Sequence, residues 1–191
     1  MKVGLFFGSF NPIHVGHLII ANVMHESTDC TEIWFVVSPQ NPFKPLNSLA
    51  HEFDRYDMAM AATSEDCFLK VSDVEFRMPR PSYTIDTLVL LAEKNPDIEF
   101  QLIMGSDNLH TFHKWKNHEQ ILENYGLLVY PRPKAKSDRF LDHPNVRLIE
   151  APLLDISATF IRRYIKTGKS LKYLLPEGVI NVIKAKKLYD I

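Results

Sequence analysis

Short apolar runs that stop at glycine, serine or proline recur along this chain, and helical patterns fill the intervals between them. Val3–Phe7 (VGLFF) ends at Gly8, Glu32–Val37 (EIWFVV) at Ser38-Pro39, Phe100–Met104 (FQLIM) at Gly105 and Gly126–Tyr130 (GLLVY) at Pro131. Phe68–Val74 and Val146–Ile149 complete a set of six. Continuous apolar runs suit parallel strands that are covered on both faces. Helical patterns are expected over Val15–His25, His51–Thr63, Thr84–Glu93 and Ser157–Lys166, and Pro176 opens a last one, since proline is tolerated in a first turn. Such alternation implies an α/β fold: a doubly wound parallel sheet with helices on both faces and a small helical part near residue 191. Ligands of these sheets bind beyond the carboxyl ends of the strands, near the point where strand order reverses. Gly8, Ser38, Gly105 and Pro131 all sit there.

The 191 residues fit one domain, 1–191, with 46% hydrophobic and 24% charged residues, the ordinary balance of a globular protein. A formal net charge of -1 gives no global pull toward nucleic acid polymers or membranes, so any phosphate binding must come from a local cluster of positive groups. The two cysteines, Cys30 and Cys67, make neither a CxxC pair nor a zinc spacing, which reads as a reducing, cytoplasmic setting. The apolar start is too short for a signal sequence or a membrane span.

Directly after the first strand stands Gly8–His17, GSFNPIHVGH. Gly8 and Ser9 can turn backbone amides toward a ligand. His14 and His17, three apart with Gly16 between them, fall on one side of a first helical turn, where a helix also favours anions. Two imidazole donors there suit a polyphosphate. One such histidine alone is more often a cap or a packed core residue. The whole string, His14-Val15-Gly16-His17 included, closely resembles the HxGH element of the nucleotidylyltransferase superfamily. Ile156–Arg162 (ISATFIR) resembles that superfamily's ISSTxIR motif, with Ala158 in place of its second serine. Ser157 or Thr159 can cap a helix there, and Arg162 offers a bidentate fork to phosphate oxygens. Taken alone, the second motif would read as a cap and a solvated arginine.

The resemblance spans nearly the whole chain and implies a Rossmann-like nucleotidylyltransferase fold. It also implies an ATP site of Gly8, Ser9, Phe10, His14, Gly16, His17, Gly105, Asp107, Ser157, Thr159 and Arg162. Three features point to the nicotinate mononucleotide adenylyltransferase branch. Pro81–Leu88 (PSYTIDTL) is similar to its SYTxDTL signature, which implies that Tyr83 and Thr84 receive the pyridine carboxylate; otherwise the segment is a helix cap with Asp86 at the positive end. Gly105-Ser106-Asp107 resembles the GxD element, and Trp115, eight residues beyond Asp107, is implied to stack on the pyridine ring. Its setting, His113-Lys114-Trp115-Lys116, is too polar for a core run. Asn41-Pro42-Phe43-Lys44-Pro45 resembles the branch's proline-rich loop, with Phe43 where a histidine is usual and Lys44 keeping the basic group. Asn41 and Lys44 are therefore expected on the substrate, although a lysine between prolines can also be a solvated loop tip.

The implied partners are ATP and nicotinate mononucleotide, the products nicotinate adenine dinucleotide and pyrophosphate, within NAD biosynthesis. The mononucleotide phosphate is already anionic, so catalysis is positioning and charge neutralisation by His14, His17, Lys44 and Arg162. No carboxylate cluster suggests a metal cage. Mg²⁺ is expected to ride mainly on the substrate phosphates and water. Arg132 is expected to border the ATP site, Lys134–His143 to form a polar surface loop and Lys184–Lys187 a solvated helix end. The rivals are an adenylyltransferase for nicotinamide mononucleotide or phosphopantetheine and a non-catalytic nucleotide-binding module. A dinucleotide-dependent dehydrogenase is set aside, since GxGxxG does not follow the first strand.

Overall fold

A computed structural model describes residues 1–40, 49–133 and 140–189. Among these the order is β1 (Lys2–Gly8), α1 (Val15–Ser27), β2 (Glu32–Val37), α2 (Glu52–Thr63), β3 (Leu69–Ser72), α3 (Thr84–Lys94), β4 (Glu99–Gly105), α4 (Ser106–Leu109), α5 (His118–Asn124), β5 (Leu127–Tyr130), β6 (Val146–Leu148), α6 (Ala158–Lys166) and α7 (Glu177–Ala185). Short 3₁₀ turns cover Val74–Arg77 and Phe112–Lys114.

The six strands form one parallel sheet in the order β3-β2-β1-β4-β5-β6. The chain winds outward from β1 to β3, returns to pair β4 with β1, and winds outward again. The reversal therefore lies between β1 and β4, where Phe6 pairs with Ile103. This is the doubly wound sheet that the apolar runs imply, and its central strands are buried on both faces. On one face Phe6, Phe35, Ile103 and Leu128 pack with residues of α1, α2, α6 and α7. On the other, Leu5, Val36, Leu102 and Val129 pack with residues of α3 and α5. Each fully buried side chain of this kind contributes about 1.5–3 kcal/mol of transfer free energy.

Several boundaries differ from expectation for local reasons. β3 stops at Ser72, because Val74 opens a 3₁₀ turn instead of continuing the strand. Pro176 sits at the cap of α7 with ψ 149°, so the helix starts one residue later. Ser157 is the cap of α6, accepting a 3.2 Å bond from the Phe160 amide. The α3 start differs more: Tyr83 is its cap, and no side chain caps it. The basic end of α7 is not simply solvated, since Lys186 binds Asp54 at 2.7 Å and Asp57 at 2.5 Å and ties α7 to α2. Among the described residues, no helix is long and apolar enough to cross a membrane.

Candidate active site

Beyond Gly8 the chain turns through Ser9 and Phe10, with Phe10 at φ 43°. The Phe10 ring lies back over the strand end, and a Cβ on Gly8 would meet it at 2.7 Å. Gly8 is thus required by its own loop, not only by a ligand. Phe10 is buried and presents its ring edge-on to Phe6, Phe35 and His17, the last at 5.1 Å between centroids. The loop packs as a wedge that backs the His17 ring.

His14 caps α1 and His17 stands in its first turn, and the two rings stack 3.7 Å apart at 22°. The His14 backbone N–H donates to His17 Nδ1 at 3.2 Å. Nδ1 therefore carries no proton, and the neutral His17 ring keeps its hydrogen on Nε2 as a donor. His14 is 5% exposed, and its Nδ1 finds no hydrogen-bond partner among the described residues. Burial first, and the charge of Arg132 second, push its pKa down to about 4, so the ring is neutral at pH 7. Gly16 makes this stack possible: a Cβ there would come 3.0 Å from His14 Nδ1.

Arg162 reaches across from α6. Its Nη1 donates to the Asn11 carbonyl at 2.8 Å and its Nη2 to Thr159 Oγ1 at 3.3 Å. Arg132 follows β5; its amide donates to Ser106 Oγ at 2.9 Å and its Nε lies 3.9 Å from Asp107. His14, His17, Asn11, Thr159, Arg162, Arg132 and Asp107 line one cavity of about 510 Å³ at the β1–β4 reversal, within the usual range for a small-molecule site. Every residue expected on ATP borders it: Gly8, Ser9, Phe10, His14, Gly16, His17, Gly105, Asp107, Ser157, Thr159 and Arg162. Arg132 borders it too.

A second recess of about 530 Å³ adjoins the first, and both are lined by Phe7, Gly8, Ser9, Asn108 and Trp115. Tyr83 and Thr84 line only the second. Trp115 is half-buried after a 3₁₀ turn, packs on buried Phe112 of the core and lines both spaces. Lys116 binds Asp86 at 2.9 Å and lies 4.8 Å from the centre of the Tyr83 ring. Asn41 and Lys44 lie outside the described residues.

Two further residues organise these loops. Arg55 of α2 is 0% exposed and donates to the carbonyls of Ser9, Ser38, Pro39 and Ala50. Its sequence signal was its place on the buried stripe Arg55, Met58, Ala59, Thr63. Glu75, 3% exposed, accepts from Ser82 and Thr87 in the wall of the second recess. Nothing in the spacing around it marks it. Among the described residues no three His, Cys, Asp or Glu side chains are grouped to hold a metal.

Residues 5–164 match the family described as cytidylyltransferase-like. A protein of Cytophaga hutchinsonii named "Probable nicotinate-nucleotide adenylyltransferase" is 57% identical over 190 residues, covering 100% of this chain and 99% of that one. Another of that name, from Flavobacterium johnsoniae, is 49% identical over 99% of both chains. The solved structure of the Plasmodium falciparum nicotinic acid mononucleotide adenylyltransferase complexed with NaAD superposes with a TM-score of 0.82, covering 99% of this chain and 97% of that one. At 22% identity that likeness carries the fold.

Proposed function

We infer the reaction from membership: the chain belongs to the cytidylyltransferase-like family, in its nicotinate-nucleotide adenylyltransferase branch, and it transfers the adenylyl group of ATP to nicotinate mononucleotide. The observation that carries the reading is adjacency. A cavity rimmed by two stacked imidazoles and two guanidinium groups opens beside a recess walled by Tyr83, Thr84 and Trp115. The first suits a triphosphate, the second a flat ring with its ribose phosphate directed at the first.

In the proposed reaction a mononucleotide phosphate oxygen forms a bond to the α-phosphorus of ATP. The bond from that phosphorus to the bridging oxygen breaks, and pyrophosphate leaves with the electron pair. The attacking oxygen is anionic at neutral pH, so no general base is required. Negative charge gathers on the α-phosphoryl oxygens and on the leaving oxygen, and fixed donors lower the barrier there. His17 offers its Nε2–H, held in that tautomer by the His14 amide. His14, Arg132, Arg162 and the first turn of α6 add donors and positive potential, with Lys44 as a further cation. A phosphate beside His14 would raise its imidazole pKa from the low value that burial sets, because a nearby anion favours the charged ring.

A divalent ion fits this site as a companion of the substrate, since the described side chains offer no three-ligand cage and Mg²⁺ prefers phosphate and water oxygens. Such an ion would spread charge from the triphosphate. The residues of this chain do the orienting.

The deciding experiment measures pyrophosphate release with ATP and, in turn, nicotinate mononucleotide, nicotinamide mononucleotide and phosphopantetheine. Release with the acid mononucleotide at the highest kcat/KM is expected. A higher kcat/KM for phosphopantetheine, or release with none of the three, overturns the proposal. His17→Ala should lower kcat by several orders of magnitude while the fold is retained; near-normal turnover would remove His17 from its role.

A further inference from the structure

Among the described residues Glu75 is the only buried carboxylate, and no cation pairs with it. A buried carboxylate without a cation is costly unless other donors satisfy it. Here hydroxyl groups do so. Thr87 Oγ1 donates to Oε1 at 2.8 Å and Ser82 Oγ donates to Oε2 at 3.0 Å, and the Ser38 hydroxyl lies near enough to favour the anion as well. Burial pushes the Glu75 carboxyl upward, and these hydroxyls pull it back toward the anion.

The three donors come from separate places in the fold. Ser38 is the first residue after β2. Ser82 and Thr87 bracket Tyr83 and Thr84 at the start of α3, where no side chain performs the usual capping. Ser82, which by type would serve such a cap, is turned to Glu75 instead. Thr87 Oγ1 also lies 3.4 Å from the Tyr83 carbonyl. One carboxylate thus grips the Tyr83–Thr84 segment from both sides and fastens it to the end of β2. Glu75 itself sits in the 3₁₀ turn after β3. Trp115 lines the same second recess as Tyr83 and Thr84.

We propose that Glu75 is the positioning residue of this recess: through Ser38, Ser82 and Thr87 it holds the Tyr83–Thr84 segment at the separation from Trp115 that a pyridine ring requires, and so governs affinity for the mononucleotide but not for ATP. The inference rests on the reading above that this recess receives the pyridine end. A carboxylate is the side chain suited to the task, because it accepts from several hydroxyls at once and its charge strengthens each bond. Glutamine of the same shape turns an NH₂ toward one of those hydroxyls and loses the charge.

The test is steady-state pyrophosphate release with both substrates varied, alongside thermal unfolding, for the wild type and for Glu75→Ala, Glu75→Gln, Ser82→Ala and Thr87→Ser. Glu75→Ala should raise the KM for nicotinate mononucleotide by about tenfold to a hundredfold, from the loss of charge-assisted bonds. The KM for ATP should stay within about twofold, since the grip lies away from the first cavity. Glu75→Gln and Ser82→Ala should fall between, and Thr87→Ser, which keeps its hydroxyl, should behave as wild type. If Glu75→Ala does not fold, Glu75→Gln and Ser82→Ala decide by the same split. Both KM values rising together, or a lowered melting temperature with both unchanged, overturns the inference. A wild-type enzyme inactive with the mononucleotide defeats the functional reading and this inference with it. An active wild type whose variants keep its KM defeats this inference alone.

Discussion

The phenol of Tyr189 donates a 2.9 Å hydrogen bond to Oδ1 of Asn11, 178 positions earlier in the chain. The same Oδ1 accepts from the Ala50 amide, and the Asn11 backbone carbonyl accepts from Arg162. Asn11 therefore gathers the loop after β1, the approach to α2, the arginine of α6 and the segment beyond α7 into one knot beside the stacked histidines. Burial raises the Tyr189 phenol well above its ordinary pKa, so the hydroxyl stays a donor at physiological pH.

Replacing that phenol is the mildest way to loosen the knot. Tyr189→Phe keeps the ring and deletes one donor, while Asn11 Oδ1 retains Ala50. The expected cost is about 1 kcal/mol of stability, or roughly 2–4 °C in melting temperature for a chain of this size. Arg162 is then anchored to a less fixed carbonyl, and kcat should fall about threefold to tenfold, near 1 kcal/mol in barrier. Unchanged kcat with lowered stability would show that the knot serves the fold alone.

Gly16→Ala separates the fold from the chemistry in the opposite sense. Alanine is favoured over glycine in a helix by about 1 kcal/mol, so the exchange should leave stability near or above wild type. The new Cβ would stand 3.0 Å from Nδ1 and 3.1 Å from Cε1 of His14, so the ring must shift by about a few tenths of an ångström against His17. Displacing a reacting group by a few tenths of an ångström to 1 Å costs up to about a hundredfold in rate. Pyrophosphate release should drop at least about tenfold with no loss in melting temperature. A fully active variant would show that the histidine stack is dispensable.

Much of this was legible beforehand because parallel strands announce themselves. β1, β2, β4 and β5 are buried on both faces, and their apolar runs are correspondingly near-continuous, with Gln101 interrupting β4. The spacing of His14 and His17 sufficed to place both rings on one turn, since residues three apart on a helix are neighbours. What stayed hidden depends on chain segments meeting in space. Nothing near Glu75 in sequence tells that Ser38 will lie against it, and nothing near Tyr189 points to Asn11. Arg55 occupies the buried stripe of α2, but its carbonyl partners at Ser9, Ser38 and Pro39 lie on other segments of the chain. The helices α4 and α5, of four and seven residues, are too short to display a period.

His14 also makes a pH prediction. Unfolded, its imidazole takes a proton near 6.5; folded, only near pH 4. Between these values the unfolded chain binds the extra proton, so this contribution to stability is fully present above pH 6.5 and is lost as the pH falls toward 4. Its full size is about 3 kcal/mol. Melting temperatures of wild type and His14→Asn, followed from pH 7 to pH 4, should converge as acid is added, with wild type losing more. Parallel curves would contradict a buried neutral imidazole.

Arg55 offers the sharpest test of how the chain is held where it leaves β1 and β2. Its Nε donates to the Ala50 carbonyl at 2.9 Å, its Nη1 to Ser9 at 2.6 Å and to Ser38 at 2.7 Å, and its Nη2 to Pro39 at 2.9 Å. Ser9 follows β1 and Ser38 and Pro39 follow β2, so one guanidinium clamps the ends of two neighbouring strands. Burial lowers its pKa, yet arginine remains charged because it begins so high, and four carbonyl dipoles take the place of a carboxylate. Arg55→Met fills similar volume but leaves four carbonyls without their donor, one of them in a buried bond and three in part-buried ones, which costs about 1–3 kcal/mol for each one that water cannot reach. Arg55→Lys keeps the charge but lacks the planar fork, so it can satisfy only some of them. The expected order of melting temperature is wild type, then Lys, then Met, with the Met variant lower by roughly 10 °C or more. At a temperature where the Lys variant is still folded, kcat/KM for ATP should be reduced, because the Ser9 loop carries the wedge behind His17. An Arg55→Met protein that melts within about 2 °C of wild type would mean that solvent or other donors satisfy those carbonyls, and the clamp would not be what sets the two loops.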